Sequence, residues 1–151
     1  MKHRNFTGFT LIELVIVMAI IGIIAAFSWS SYSQSLMKGR RVDAKNALLD
    51  LAAREEKFYS TNNVYTDSPA ALGYGAGVAT FPVAVYSGAN SYYNIKATFK
   101  TAPDSFTLTA TPIAGSGQTS DACYTYVLDN LGTQSNVNAS NATITNPSNC
   151  W

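Results

Sequence analysis

Histidine is nearly missing from this chain: the only one, His3, precedes a long apolar run, and nothing after it replaces it. A Ser/His/Asp or Cys/His relay therefore has no base beyond the first few residues, and the commonest nitrogen ligand for a transition metal is lacking. Charge is sparse too, at 13% of residues, with ten basic side chains against nine acidic ones. That balance exerts no general pull toward nucleic acid or anionic lipid. Cysteine is limited to Cys123 and Cys150, whose spacing matches no zinc or CxxC pattern. Proline does not occur before Pro69, so nothing ahead of that point forbids an uninterrupted helix. These absences point away from an enzyme, and no metal or cofactor is expected.

What the chain does have is an apolar run, Gly8 to Phe27, GFTLIELVIVMAIIGIIAAF, interrupted near its start by one carboxylate, Glu13. At about 1.5 Å per residue, Phe9 to Trp29 reaches roughly 31 Å, enough to cross a hydrocarbon core of about 30 Å. A carboxylate at mid-bilayer costs about 2.5–3.5 kcal/mol, less near the end of a span. Helix-dipole stabilisation at the headgroup level is one account of Glu13; a cationic partner is the other.

The charges are unevenly spread. Eight of the ten basic residues lie in residues 1 to 60, whereas residues 61 to 151 hold Lys96 and Lys100 against Asp67, Asp104, Asp121 and Asp129. Lys2 and Arg4 precede the apolar run while Lys38, Arg40 and Arg41 follow it, so the positive-inside count is close to balanced and does not orient the span.

Three features occur together at the N-terminus: the short basic segment MKHRNFTG, the Gly8-Phe9 junction, and Glu13 as the fifth residue after that junction. In them the chain resembles the type IV pilin family, which includes the type II secretion pseudopilins. The resemblance implies a leader, residues 1–8, cut after Gly8 by a prepilin peptidase that also N-methylates Phe9. It assigns Glu13 to pairing with the new amino terminus of a neighbouring subunit. Two opposite charges in a low-dielectric bundle neutralise each other, whereas either alone is expensive. Implied partners are other pilin subunits through helix packing, the peptidase/methyltransferase and the inner-membrane assembly machinery. The implied location is the inner membrane, single-pass with the leader cytoplasmic, and after assembly an extracellular filament. An ordinary signal peptide cut near Ala26-Phe27-Ser28 is the competing reading; the length of the apolar run and the position of Glu13 oppose it.

The apolar run passes without a turn signal into an amphipathic stretch. Ala44, Ala47, Leu48, Leu51, Ala52, Phe58 and Tyr59 recur largely at intervals of three and four, with Asp43, Lys45, Asp50, Arg54 and Lys57 between them. One helix from about Phe9 to Ser60 is predicted, roughly 78 Å long, with Gly22 and Gly39 as weak points and Asp50 spaced to pair with Arg54. Type IVa pilins usually carry a proline about eight residues after the glycine matched by Gly22. This chain has Ser30 there, so any kink would rest on Gly22 and on Ser28, Ser30 and Ser31.

Thr61-Asn62-Asn63 reads as the helix end and Val64 to Ala89 as a long loop rich in glycine, with Pro69 and Pro82. Alternation from Tyr92 to Lys100, from Phe106 to Thr111 and from Tyr124 to Leu128, then a turn at Asn130-Leu131-Gly132 and a short run near Thr133 to Val137, predict four antiparallel strands. Because a membrane-targeting segment puts the following residues outside the cytoplasm, a Cys123–Cys150 disulfide is favoured over two buried thiols. The sequons beginning at Asn138 and Asn141 read as polar loop.

The expected fold is α+β: a long N-terminal helix on a four-stranded antiparallel sheet with a disulfide-closed C-terminal loop, which over the whole chain looks like the pilin fold. Residues 9–30 form the membrane or filament-core segment and 31–151 the globular domain, divided into helix 31–60, connecting loop 61–91, and sheet with C-terminal loop 92–151. SFTLTATP, CYTYVLDNLG and the final NCW look most like minor pilins of the PilE and ComP type. The implied function is structural: a pilus subunit, read as minor, serving pilus biogenesis, twitching motility, adhesion or DNA uptake. DNA reception in transformation is one alternative, with Lys96 and Lys100 as candidate contacts beside Tyr92. A pseudopilin is another, for which Asp121 and Asp129 are too few for a calcium site.

Overall fold

The computed structural model describes residues 8–100, 105–145 and 150–151; at 27–30 it describes the backbone alone. The leader residues Lys2, His3 and Arg4, and the side chains of Ser28 and Ser30, lie outside the described residues. One helix, α1 (Leu11–Asn62), precedes five strands: β1 (Val83–Ser87), β2 (Asn90–Phe99), β3 (Phe106–Pro112), β4 (Thr125–Asp129) and β5 (Gln134–Val137). The chain divides into two compact units, Met1–Leu36 and Met37–Trp151.

In the first unit, every residue from Leu11 to Ala26 is solvent-exposed. Mean hydropathy in this part of α1 reaches 2.7, and none of the described residues covers it. The backbone stays helical through Gly22 and Ser30.

In the second unit, α1 lays one stripe, Ala44, Leu48, Leu51 and Glu55, into the core, all at 0% exposure. The stripe follows the i, i+4, i+7, i+11 spacing of one helical face. Two residues beyond the expected end the helix stops at Asn63, whose left-handed φ of 53° and N–H to the Tyr59 carbonyl at 2.8 Å make it the terminating cap.

The sheet is a simple antiparallel meander, β1-β2-β3-β4-β5. Its register pairs Ile95 with Ala110, Ala97 with Leu108, and Phe99 with Phe106. Leu108 then pairs with Leu128 and Ala110 with Tyr126, so the alternating apolar positions share the face that covers the helix stripe.

The sheet has five strands and not four. The added strand, β1, lies inside the stretch expected as loop 61–91, where Val83 and Val85 pack on the core. Pro82 and Gly88 bracket VAVYS so tightly that its alternation is only two steps long. Gly88 has a φ of 66° in the two-residue connection to β2, the conformation a tight hairpin requires at that point.

Cys123 and Cys150 form the disulfide, with both residues buried and a sequence separation of 27. Trp151 follows it, donating from Nε1 to the Ser135 carbonyl at 2.9 Å and packing edge-on against Tyr126. Closing a loop of this length stabilises the fold by about 3–4 kcal/mol in the chain-entropy model. Cys123→Ser with Cys150→Ser is therefore expected to lower unfolding free energy by about that amount. Denaturant titration of the purified chain checks this; a change under 1 kcal/mol (roughly what a surface substitution produces) would contradict it.

Candidate functional site

At the start of α1, Thr10 acts as N-cap: its Oγ1 accepts the Glu13 N–H at 3.3 Å. Thr10-Leu11-Ile12-Glu13 thus has the spacing of a capping box. Glu13 stands in the first turn, and among the described residues its carboxylate enters no ion pair. Around it Phe9 is 82% and Leu11 83% exposed. The site consists of one acid at the positive end of a helix, set in an apolar surface that the described chain leaves uncovered.

In the second unit a polar hub lies between α1 and the connection from β3 to β4. Arg41 Nε donates to Asp121 Oδ2 at 2.8 Å, with the Asp121 side chain at 0% exposure. The same oxygen accepts from Gln118 Nε2 at 2.7 Å, and Oδ1 accepts the Cys123 N–H at 2.8 Å. Gln118 Nε2 also faces the Tyr93 hydroxyl at 3.0 Å and the Met37 carbonyl at 3.3 Å. One carboxylate thereby ties the helix to the first residue of the disulfide. The bond from Asp121 raises the Arg41 pKa, and burial raises those of the Tyr93 and Tyr126 hydroxyls.

A second buried acid, Glu55, has no cation among the described residues. Its Oε2 accepts the Thr66 N–H at 3.2 Å, while Oε1 finds no partner among them. Burial first, then the Glu56 and Asp67 carboxylates, push its pKa to about 7 against the opposing Thr66 bond. Beside it Tyr65 stacks on Tyr59 and meets Phe106 edge-on.

Lys96 and Lys100 are both exposed; Lys100 follows Lys96 by four positions, about 13 Å along an extended chain. The aromatic expected to help them, Tyr92, is half-buried, with the Arg40 guanidinium 3.6 Å above one face of its ring. Asp121 and Asp129 are not brought together: Asp121 belongs to the hub, and Asp129 accepts the Leu131 and Thr133 N–H groups. Among the described residues no three His, Cys, Asp or Glu side chains cluster as metal ligands do.

Comparison with known proteins decides the family. A family model described as "Type IV minor pilin ComP, DNA uptake sequence receptor" matches residues 30–127, well over half of the chain. The chain belongs to the type IV minor pilin ComP family. A second model, the prokaryotic N-terminal methylation motif, matches residues 3–29 of this pilin. It is 37% identical over 67 residues, 44% of its own length, to the type IV major pilin protein PilA of Myxococcus xanthus, covering 30% of that protein. It is 38% identical over 71 residues, 47% of its length, to the fimbrial protein EcpC of Eikenella corrodens, covering 46%. The pilin thus spans less than half of each of these two relatives. With the type IV wide pilus major component PilA4 of Thermus thermophilus, identity is 36% over 94 residues, 59% of this chain and 71% of that one.

Sequence reasoning paired the two cysteines and put Glu13 near the start of the helix, but it missed the hub and Glu55. Arg41 was legible only as a flanking charge and Asp121 only as a weak calcium candidate. The one signal available for Glu55 was its spacing, four residues after Leu51, on the apolar stripe.

Asp121→Ala leaves Arg41 and the Cys123 N–H without their acceptor and is expected to cost about 3 kcal/mol by denaturant titration, with Asp121→Asn costing less; equal loss from both would refute the charge argument. For Glu55 the folded pKa lies above the ordinary 4.5, so its contribution is complete below that value and lost as pH rises through about 7. Stability should fall by about 2–3 kcal/mol between pH 5 and 8, and Glu55→Gln should flatten the profile. An unchanged slope in Glu55→Gln would assign the pH dependence elsewhere.

Proposed function

We propose that this chain is a structural subunit, minor in type, of a type IV pilus. It is held in the inner membrane by the first part of α1 and then transferred to a surface filament. The observation that carries this reading is the surface from Leu11 to Ala26, apolar on every side, uncovered by the described chain, and carrying one acid in its first turn. Water cannot be its surroundings, because exposed apolar area of that extent seeks lipid or other helices. In lipid the backbone is satisfied by the helix itself. In a bundle of sister helices Glu13 needs a cation, and the amino group of Phe9, freed by cutting after Gly8, supplies one on the neighbouring subunit. Methylation of that amine keeps its charge while removing a donor.

The relatives support the reading through their own names, which describe pilus and fimbrial proteins. The family description also names a DNA uptake sequence receptor. For this chain the Tyr92 ring face already taken by Arg40 and the separation of Lys96 from Lys100 favour assembly over DNA reception.

Glu13→Ala, expressed beside the unaltered chain, is expected to reach sheared filaments at least about tenfold less, the equivalent of roughly 1.4 kcal/mol. Mass spectrometry of the chain recovered from filaments should find methylated Phe9 as the first residue. Equal incorporation of the two forms, or a mature chain beginning at Trp29, would remove the proposal.

A further inference from the structure

On the apolar stripe of α1, one turn after Leu51, stands a carboxyl group at 0% exposure, that of Glu55. Its one bond, from the Thr66 N–H to Oε2 at 3.2 Å, reaches out of the helix to the connection that leads to β1. Oε1 has no partner among the described residues. The groups around it offer no counter-charge. On α1 its titratable neighbours are Arg54, Glu56 and Tyr59, and Arg54 is committed to Asp50 at 2.7 Å. The connection brings the Asp67 carboxylate and the hydroxyls of Tyr65 and Tyr74. The inner face of the sheet, with Ile95, Ala97, Phe106 and Leu108, is uncharged. An acid so placed is accommodated with its proton on and is expensive without it.

The connection around Thr66 divides into anchored and loose parts. Upstream, Asn63 closes the helix with its N–H on the Tyr59 carbonyl at 2.8 Å. Downstream, residues 68–74 form a turn with bonds of its own: the Leu72 N–H meets the Ser68 carbonyl at 3.2 Å and the Tyr74 N–H the Pro69 carbonyl at 3.0 Å. A pocket of about 360 Å³ opens between this turn and α1, and the Arg54 guanidinium, donating to the Leu72 carbonyl at 2.8 Å, keeps the two together. Between these anchors, residues 64–67 make no backbone–backbone hydrogen bond among the described residues. What holds them to α1 is the Glu55 bond and Tyr65, whose hydroxyl donates to Glu56 at 3.0 Å and whose ring packs on Tyr59 and Phe106.

We propose that Glu55 is a pH-operated latch on this four-residue segment: protonated, it keeps Thr66 against α1; ionised, it turns to water and residues 64–67 lift away together. Lifting gives the carboxylate the solvation that the closed form denies it. The Tyr65 contacts oppose the movement and keep the segment shut at low pH. Burial first, then Glu56 and Asp67, place the closed-form pKa at about 7, against an ordinary 4.5 in water. The closed form is therefore favoured in full below that ordinary value and loses ground as pH rises to about 7, beyond which the loss levels off. Between pH 5 and 8 the opening equilibrium rises about seventyfold. The latch needs only the folded second unit and does not depend on entry into a filament.

Amide hydrogen exchange of the full chain in non-ionic detergent micelles, followed by NMR from pH 5 to 8, tests this. Each rate is compared with that of the same amide in an unstructured chain. Protection of the Thr66 amide is expected to fall about seventyfold, to stay below that of the Ala110 amide in β3 at each pH, and to be insensitive to low urea, the mark of a local opening. Glu55→Gln should hold Thr66 protection constant across the range. Protection that does not change with pH, or that falls equally in Glu55→Gln, overturns the latch. So does a Thr66 amide that matches Ala110 in both protection and urea dependence, because the whole unit would then be unfolding at once. That last comparison is made in the unaltered chain, so it decides the matter even if Glu55→Gln does not fold.

Discussion

Contact between one stripe of one helix and the inner face of a five-stranded sheet is the constraint on which the rest of the second unit depends. Ala44, Leu48 and Leu51 meet Ile95, Ala97, Leu108, Ala110 and Leu128, and every strand is held in register by the need to keep its alternate residues on that face. A one-residue slip of β3 would turn Leu108 and Ala110 outward and bring Thr107 and Thr109 in. From Leu11 to Ala26 the same helix is exposed at every residue. It is one continuous element whose two parts satisfy different surroundings, and the change in pattern from uniformly apolar to striped marks the change in what must cover it.

Burial of that stripe leaves the far end of the chain to be secured, which the polar hub and the disulfide do together. Asp121 accepts from Arg41, Gln118 and the Cys123 N–H, so a distant helix residue and two near neighbours in the chain converge on one carboxylate. In a site this dry each bond is stronger than it would be in water, and each missing one more costly. Asn136 adds a second tie, donating to the carbonyls of Cys123 and Thr125. Glu55 is the contrary case: an acid in the apolar stripe with one bond and no cation among the described residues, tolerated because it can hold its proton.

Much of this architecture was legible because it repeats. Strict alternation exposed β2, β3 and β4, and the Asn130-Leu131-Gly132 turn announced β5. The strand β1 escaped because its alternation is too short to stand out from the glycine-rich loop that precedes it; pairing with β2, from Val83–Ile95 to Ser87–Asn90, supplies what its own pattern lacks. The hub was illegible for a different reason. Arg41 and Asp121 are 80 residues apart, and nothing local to either distinguishes a charge with a buried partner from one in water.

By itself the sequence determined the uncovered apolar segment, the acid at its head, the amphipathic continuation and the alternating strands, since each is a periodic or compositional property carried by neighbouring residues. Tertiary structure alone decided which charges are paired, which acid is buried without a cation, and where a pocket opens beside α1. Those depend on distances between residues remote along the chain, which local chemistry constrains only after the helix stripe and the sheet have met.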